Sequence, residues 1–274
     1  MKKLFSSFAI ISSLMLVLAG CGTSGNQAAP AAAPAETAKP ANLLEKIKAD
    51  GKLRIGTEGT YAPFTFNDQS SKLTGYDVEV VTEVVKRIGV EPEFMQTQWD
   101  AMFAGLDSER FDVIANQVGI RPDRQEKYDF SNPYTVSAAV LTVHKDNNTV
   151  KSFQDIKGLK AAQTLTSNLT DIARENGAEI VGVEGFNQAV DLLASKRVDV
   201  TINDGLSVLD LLKQKPETPI KIVAKHENAT SNGFMFRKGN PELVEAFNKA
   251  LDEMRNDGTL LKISEKWFGA DVSK

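Results

Sequence analysis

Arg124 and Asp204 are two residues of opposite charge that each follow a short apolar run of the chain. The guanidinium of an arginine presents parallel N–H donors that match a carboxylate, and an aspartate complements an ammonium group. The pair could therefore hold a zwitterion, which predicts an amino-acid site. Each residue also has a simpler interpretation, because Arg124 could make a surface contact and Asp204 could cap a helix predicted over 206–214.

More polar side chains come directly after the predicted strands. In an open parallel sheet, ligands bind beyond the carboxyl ends of the strands, where helix N-termini also expose amide donors. We therefore expect these residues to line one site. They are Glu58 and Tyr61 after a strand at 52–56, residues 117–124 after a strand at 111–115, residues 164–168 after a strand at 159–163, and Asp204 after a strand at 198–203.

The composition argues against several classes of function. His144 and His226 are the only histidines and Cys21 is the only cysteine, so few ligands for a transition metal are present. Neither a nucleophile–base pair nor a cofactor loop stands out, and no metal or other cofactor is expected. Of the 32 basic residues, Lys2 and Lys3 lie at the N-terminus, and the other 30 are outnumbered by 36 acidic residues. Because no basic block is present either, nucleic acid is not an expected partner.

The elements that would position the site alternate between strand and helix. Residues 52–56 and 91–95 are short runs typical of strands, and residues 76–88 between them have helical periodicity. The predicted apolar face of this helix consists of Val78, Val81, Val85 and Ile88. This order of elements predicts an α/β fold with parallel strands.

Two stretches of the chain repeat one another. Residues 99–116 align without a gap with residues 186–203, and six of the 18 positions are identical. Each stretch is typical of a helix, a tight turn and a buried strand, which predicts two domains of similar structure. The alternative is that the shared R-x-D-V sequence arises in such units from local propensity alone.

The N-terminal residues 1–20 have the build of an export signal, in which Lys2 and Lys3 precede an apolar stretch. This stretch is too short and too interrupted for a membrane span. Residues 18–21, LAGC, resemble the lipobox of bacterial lipoproteins, in which the cysteine becomes the lipidated first residue; a plain signal with an incidental Cys21 is the alternative. Residues 21–41 are rich in Ala, Pro and small polar residues, which predicts a flexible tether before a folded part that starts at Asn42.

Several motifs carry a resemblance to a known family. They are GYDV at 75–78, residues 119–124 followed by YDFSNPY at 128–134, DGTL at 257–260 and SEKWFG at 264–269. With these motifs in this order, the chain resembles the polar amino-acid branch of the periplasmic binding proteins that serve ABC importers. The resemblance covers residues 42–274, and residues 114–134 and 258–274 look most like the cystine-binding members.

The resemblance implies a type II periplasmic-binding-protein fold, with two α/β lobes joined by a two-segment hinge. One lobe would comprise residues 42–134 and 233–274, and the other would comprise residues 137–230. The hinge segments would lie near 135–136 and 231–232. The early and late parts of the chain would therefore share a lobe.

The same resemblance implies roles for individual residues. Arg124 would bind the α-carboxylate of the ligand, helped by backbone N–H groups near Gly119 and Asn168. Asp204 would bind the α-ammonium, with the carbonyl of Gln117 as a second acceptor. Gly119 departs from the family pattern, because many relatives have Ser or Thr there and its hydroxyl assists the carboxylate.

The resemblance also implies which residues surround the ligand side chain. Tyr61 and Trp99 match aromatic positions that cover it, although the core of the first lobe is an alternative place for either ring. Glu58 matches an acidic position that can contact the ligand side chain. The facing lobe would contribute Thr164, Ser167 and Asn168.

A binding protein of this kind is expected to close on its ligand and to be recognised by an importer. The resemblance favours L-cystine, with arginine, glutamine and histidine as alternatives. The expected partners are an ABC permease and its ATPase, and the expected protein is an extracytoplasmic monomer held to the membrane by lipid on Cys21. Two alternatives are a dehydratase of small acids, for which Glu58 is the best acid or base, and a sensor ectodomain that signals through another protein.

Overall fold

The computed structural model describes residues 40–274, and the predicted signal, the lipobox cysteine and the tether up to residue 39 lie outside this range. Asn42, the predicted first residue of the folded part, is the N-cap of the first helix, and its Oδ1 accepts a hydrogen bond from the N–H of Glu45 at 2.9 Å. Within residues 40–274, no helix has the length and apolar character that crossing a membrane requires.

The helices of residues 40–274 alternate with strands along most of the chain. They are α1 Leu43–Asp50, α2 Tyr76–Ile88, α3 Trp99–Asp107, α4 Pro122–Gln125, α5 Asn168–Glu175, α6 Phe186–Ala194, α7 Gly205–Gln214, α8 Pro241–Asn256 and α9 Thr259–Phe268, with a short 3₁₀ helix at Phe153–Ile156. The strands are β1 Lys52–Thr57, β2 Thr60–Tyr61, β3 Thr65–Asn67, β4 Leu73–Thr74, β5 Glu91–Gln96, β6 Val113–Gly119, β7 Tyr128–Phe130, β8 Thr135–His144, β9 Lys160–Gln163, β10 Glu179–Gly182, β11 Val200–Asp204 and β12 Ile220–Arg237.

The main sheet is mixed. Its strand order is β10-β9-β11-β8-β12-β6-β1-β5, with β7 also paired to β12. β1 pairs in parallel with β5 and β6, and β9 pairs in parallel with β10 and β11, as the alternating pattern predicts. The prediction of parallel strands is wrong for β8 and β12, which run antiparallel to each other and to their outer neighbours β11 and β6. These two long strands connect the two parallel groups, and nothing in their local sequence specifies their direction.

Helix α2 has the bounds that the sequence predicts, and its buried face is rotated slightly from the predicted one. Val80, Val81, Val84 and Val85 are buried, whereas Val78 and Ile88 are half-buried. The helix ends at Gly89, whose φ of 90° is in the left-handed region that glycine adopts without steric cost.

The two aligned stretches of sequence fold as equivalent units. α3 leads into β6 and α6 leads into β11, and Glu109 and Lys196 occupy the same position of the intervening turn, with φ of 59° and 57°. Asp112 and Asp199 also match, because each carboxylate accepts a backbone N–H from the first strand of its own parallel group, at 3.2 Å from Arg54 and 2.8 Å from Lys160. The resemblance in sequence therefore corresponds to a shared local structure.

The buried apolar residues form clusters that fall into two regions. Two clusters take their buried members from residues 47–134 and 234–272, and we call these the first core region. The other two take theirs from residues 139–220, the second core region. β8 and β12 run from one region to the other, and where they leave the first region Thr135 pairs with Asn232 and Val136 pairs with Ser231.

Candidate functional site

A cleft that is partly open to solvent lies between the two core regions. Seven of the ten residues predicted for the binding site line it: Glu58, Tyr61, Trp99, Gln117, Thr164, Ser167 and Asn168. Gly119, Arg124 and Asp204 lie outside this lining. Sequence reasoning missed several lining residues, among them Asn116, Gln163, Gly185, Phe186 and Asn203.

Arg124, in α4, is a buried cation that forms no salt bridge within residues 40–274. Its side chain is 6% exposed, and no carboxylate of residues 40–274 forms an ion pair with it. Its guanidinium donates to the carbonyl of Gly119 at 3.1 Å and lies 5.5 Å from the centre of the Trp99 ring and 5.4 Å from that of Phe103. Burial lowers the pKa of Arg124 to about 10, which leaves it charged at neutral pH. A buried guanidinium between aromatic rings is suited to an incoming carboxylate.

Asp204 ends β11 and caps α7, as the simpler interpretation of the sequence predicts. Its Oδ1 accepts the N–H of Leu206 at 2.9 Å, and its Oδ2 accepts the hydroxyl of Ser137. Burial raises the pKa of Asp204 to about 6, against the effect of these hydrogen bonds. No cation of residues 40–274 pairs with it, so its negative charge is unbalanced within the described part of the chain.

Glu58 follows β1 and is held from β6. Asn116 donates its side-chain N–H to Glu58 Oε2 at 2.6 Å and accepts the backbone N–H of Glu58 at 2.8 Å. Burial, with a smaller contribution from the nearby charge of Asp100, raises the pKa of Glu58 to about 7 against the opposing effect of the Asn116 hydrogen bond. On the far side of the cleft, Gly185 begins α6 without a side-chain cap, and a Cβ on Gly185 would lie 3.5 Å from Glu58 Oε1. Glu58 therefore faces the positive end of a helix from the second core region.

Gln117 lies in a bulge of β6 rather than in a loop after the strand, which corrects the predicted strand end. Val118 and Ile114 pair with Gly233 and Met235 of β12, so three residues of β6 lie opposite one of β12. Gln117 has φ of 50°, in a region that costs a non-glycine residue about 1–3 kcal/mol. Bulges redirect side chains, and this one turns residues 116 and 117 towards the cleft.

Asp77, at the start of α2, is the buried group that holds the bulge. Its two carboxylate oxygens accept the backbone N–H of Gln117 at 2.7 Å and its side-chain N–H at 2.6 Å, and the hydroxyl of Tyr134 also donates to it at 3.0 Å. Burial raises the pKa of Asp77 to about 6. The sequence placed Asp77 in the GYDV motif without a role at the site.

Three residues that line the cleft each have one buried polar atom without a hydrogen-bond partner in residues 40–274. These atoms are the Trp99 Nε1 and Gln163 Nε2 donors and the Gln117 Oε1 acceptor. Such atoms cost about 1–3 kcal/mol each when left without a partner, so a polar ligand that pairs with them gains affinity. Trp99 also packs in the core with Met102 and Phe111, so it belongs both to the first core region and to the lining of the cleft.

The segment between β9 and α5 presents a helix N-terminus to the cleft. Ser167 is the N-cap, and its Oγ accepts the N–H of Thr170 at 3.2 Å. Thr164 and Asn168 flank it on the cleft wall, and the hydroxyl of Thr170 donates to the carbonyl of Thr164. The free N–H groups of this first turn can donate to an anionic group.

Tyr61 joins the two core regions across the cleft. Its ring packs against Phe64 and Phe186, at 5.2 Å and 6.4 Å between ring centres, and its hydroxyl donates to Asn203 Oδ1 at 2.7 Å. Burial and the nearby charge of Asp204 raise the pKa of Tyr61, so the phenol remains neutral.

Gly119 has a steric reason to lack a side chain. A Cβ at this position would lie 2.9 Å from the Thr230 Cγ2 methyl group, closer than real contacts allow. Thr230 thus occupies the space into which a serine or threonine at position 119 would extend.

The three carboxylates with raised pKa values, Glu58, Asp77 and Asp204, are expected to make the ligand-free protein less stable as pH rises. Because the folded-state pKa of Glu58 is about 7, above its ordinary 4.5, the folded protein binds more protons than the unfolded chain between these values. The free energy of unfolding therefore falls as pH rises through this window. We expect Glu58→Gln to remove about 1–3 kcal/mol of this fall in urea unfolding measured from about pH 5 to pH 8. The exposed Glu242→Gln is the control, and an unchanged pH dependence in Glu58→Gln would contradict the assignment.

Within residues 40–274, no group of three or more His, Cys, Asp or Glu side chains is arranged to hold a metal ion. The site consists of the buried cation of Arg124, the buried carboxylate of Asp77, the half-buried carboxylates of Glu58 and Asp204, polar atoms without partners in residues 40–274, and aromatic rings. It can bind a ligand that carries both charges.

Known proteins resemble the chain over most of its length. The L-cystine-binding protein TcyA of Bacillus subtilis (strain 168) is 50% identical over 274 residues, which is 100% of this chain and 99% of that protein. The crystal structure of the L-cystine solute receptor of Neisseria gonorrhoeae in the unliganded open conformation is 50% identical, covers 85% of this chain and 99% of its own, and has a TM-score of 0.57. An ancestral arginine-binding protein bound to arginine is 37% identical, covers 80% of this chain and 98% of its own, and has a higher TM-score of 0.76.

The family model of the bacterial extracellular solute-binding proteins, family 3, matches residues 53–270. These residues include the whole second core region, most of the first, and every residue that lines the cleft. The fold, with two parallel groups of strands joined by β8 and β12, agrees with the type II arrangement that the resemblance implies. The chain therefore belongs to the bacterial extracellular solute-binding proteins, family 3.

Proposed function

We propose that this protein is the substrate-binding lipoprotein of an ABC importer and that it binds L-cystine. The cleft between the core regions would hold the amino acid as a zwitterion, with no covalent chemistry. Support comes from the charged groups in and around the cleft and from the relatives, which are binding proteins, among them a cystine-binding protein and a cystine receptor.

The observation that carries the proposal is the unpaired guanidinium of Arg124. Burying a charge without a partner costs several kcal/mol, so such groups persist where a ligand supplies the partner. The α-carboxylate of an amino acid fits the planar donors of Arg124, and the first-turn N–H groups at Asn168 and the N–H near Gly119 would add donors.

The α-ammonium would be taken by Asp204. Its carboxylate belongs to the second core region, whereas Arg124 packs against aromatic rings of the first. One ligand would then contact both regions, which is the condition for a ligand to stabilise their closed arrangement. The Gln117 carbonyl is the proposed second acceptor.

L-cystine is proposed over amino acids with one charged end because the cleft has more polar capacity than one zwitterion uses. Cystine carries a second ammonium and a second carboxylate. Glu58 could accept the second ammonium, and Gln163 Nε2 could donate to the second carboxylate, while Tyr61 and Trp99 would cover the disulfide. Arginine is the alternative that Glu58 favours, since a guanidinium would also pair with that carboxylate.

The closing motion would divide residues 42–134 and 233–274 from residues 137–230, with hinges near 135–136 and 231–232. Support for these bounds comes from the core clusters and from the adjacent pairing of Val136 with Ser231. The chain superposes better on the arginine-bound ancestral protein than on the open receptor, although the open receptor is more similar in sequence.

Membership of an extracellular solute-binding family places the protein outside the cytoplasm. We propose that residues 1–20 direct its export, that lipid on Cys21 holds it at the membrane as a monomer, and that an ABC permease with its ATPase receives the ligand. One lipid chain alone gives marginal anchoring, so full lipoprotein modification would be needed.

A thermal-shift panel of the common amino acids and L-cystine tests the proposal. A ligand that binds only the folded protein raises its melting temperature by mass action, by about 2.7 kcal/mol of stability at a concentration 100 times Kd. We expect the largest shift with L-cystine. A larger shift with arginine or glutamine would keep the class and replace the ligand, and no shift with any amino acid would refute the proposal and favour a search for dehydratase activity.

A further inference from the structure

Asp100 connects the two core regions without lining the cleft. It is the second residue of α3, directly after Trp99, and its side chain is exposed. Its Oδ2 accepts the backbone N–H of Leu165 at 3.0 Å, and its Oδ1 accepts the backbone N–H of Thr166 at 3.0 Å and the Thr166 hydroxyl at 2.7 Å. All three hydrogen bonds cross from the first core region to the second.

The segment that Asp100 holds belongs to the wall of the cleft. Residues 164–167 join β9 to α5, and the carbonyl of Thr166 accepts a long hydrogen bond of 3.5 Å from Arg124. Asp100 therefore ties the N-terminus of α5 to the helix whose first residue, Trp99, packs on Arg124. The hydrogen bond between Leu165 and Asp100 joins residues that are 65 positions apart in the chain, so it breaks if the two core regions separate.

A second direct contact lies on the same side of the cleft. Arg121 donates to Asp171 of α5 at 2.7 Å, and Asp123 shares the same guanidinium at 2.9 Å. Asp123 stays beside Arg121 in the open and the closed form, so Arg121 keeps an anionic partner when the two core regions separate. The Arg121–Asp171 ion pair is therefore expected to favour the closed form less than the hydrogen bonds of Asp100 do.

We propose that Asp100 is a positioning residue that latches the closed form: it raises ligand affinity through its hydrogen bonds to residues 165 and 166 and does not touch the ligand. This inference rests on the proposed closing of the two regions. Its physical basis is that contacts present only in the closed form add to the ligand's own contacts in the population shift.

The latch makes a specific kinetic prediction. Asp100→Ala is expected to raise the dissociation rate of L-cystine about tenfold, which corresponds to losing charge-assisted hydrogen bonds at an exposed position, while the association rate changes less than about twofold. Asp100→Asn keeps one acceptor oxygen, and its dissociation rate is expected to lie between those of wild type and Asp100→Ala. The measurement is stopped-flow tryptophan fluorescence at about pH 8, where Glu58 is ionised whether or not the nearby Asp100 charge is present.

The matched control is Asp107→Ala, on the same helix. Its carboxylate accepts the hydroxyl of Tyr128 at 3.0 Å within the first core region, so wild-type rates are expected. The melting temperature of ligand-free Asp100→Ala is expected to stay at the wild-type value, because a latch of the closed form does not hold either region together. A lower ligand-free melting temperature with an unchanged dissociation rate would identify a merely structural residue and overturn the proposal.

The distance between spin labels in the two core regions tests the proposed role of Asp100 even if L-cystine is not the ligand. Residues 40–274 form one compact unit and contain no cysteine, so spin labels can be placed through Glu126→Cys and Glu175→Cys, both exposed and in different core regions. Asp100→Ala is expected to lower the short-distance population at a fixed L-cystine concentration. If wild type binds no L-cystine, the proposed function is wrong, and the latch is then tested by the distance distribution of the ligand-free protein. Identical ligand-free distributions for Asp100→Ala and wild type would overturn the latch.

Discussion

Arg124→Ala is expected to lower the affinity for the amino-acid ligand by roughly 30- to 5,000-fold, which corresponds to about 2–5 kcal/mol for one partner of a buried charge pair. In wild type, the guanidinium is 6% exposed and has no carboxylate partner among residues 40–274. The ligand carboxylate would then lose its cation while remaining in a buried place. Isothermal titration calorimetry with L-cystine measures the loss.

Stability and a control variant separate this loss from misfolding. Arg124→Ala removes a buried unpaired charge as well as packing on Trp99 and Phe103, and because these effects oppose each other we expect a melting temperature close to that of wild type. The exposed Arg110→Ala should bind as wild type does. Arg124→Lys keeps the charge without the paired donors and is expected to bind weakly. Near-normal affinity in Arg124→Ala would remove Arg124 from the site.

Asp204→Asn is expected to change affinity and stability in opposite directions. The asparagine keeps a side-chain oxygen for the N–H of Leu206 and is an equally good N-cap, so α7 should stay capped. Without the negative charge, the ligand ammonium loses its partner, and affinity should fall at least about tenfold. At pH values above about 6, the melting temperature of ligand-free Asp204→Asn should be higher than that of wild type. The reason is that the variant no longer holds an ionised carboxylate in this place, where burial disfavours the charge.

The pH dependence of binding gives an internal check on Asp204. Burial raises the pKa of Asp204 to about 6, so the carboxyl group of the free protein is protonated below that pH. A ligand ammonium pairs with the ionised carboxylate, so binding below pH 6 releases a proton from Asp204. Wild-type affinity is therefore expected to fall as pH drops from about 7 to 5, and the fall should be smaller in Asp204→Asn. Calorimetry in buffers of different ionisation enthalpy measures the protons released. The exposed Asp191→Asn on α6 is the control, and a wild-type pH profile in Asp204→Asn would assign the proton elsewhere.

The sequence alone predicted the main elements and much of the cleft. The bounds of α2 and the strands predicted at 52–56 and 91–95, each one residue longer in the structure, follow from periodicity, since local patterns of apolar residues set which face of a helix or strand is buried. Seven predicted residues line the cleft because side chains that follow parallel strands meet at one edge of the sheet. The repeated stretches also predicted a true structural repeat of helix, turn and strand, and the structure adds that each turn has a left-handed residue at the same position.

Other features depend on partners far away in the chain. Gln163 and Asn116 were missed because a residue at a strand end points to the cleft or away from it according to the register, and the register depends on non-local pairing. The bulge that turns Gln117 inward depends on Asp77, 40 positions earlier. In the sequence, Asp100 is an ordinary acidic residue in the first turn of a helix. Its contact with Thr166 exists only because the tertiary structure places that residue next to it.

The charges and the element pattern of this protein were thus determined by its sequence, since both are local properties of residue type and spacing. The tertiary structure decided the antiparallel direction of β8 and β12, the burial of Arg124 without a carboxylate partner from residues 40–274, and the burial that raises the pKa of three carboxylates. Burial and strand direction depend on which distant segments pack together, and desolvation acts on a charge only after that packing is complete.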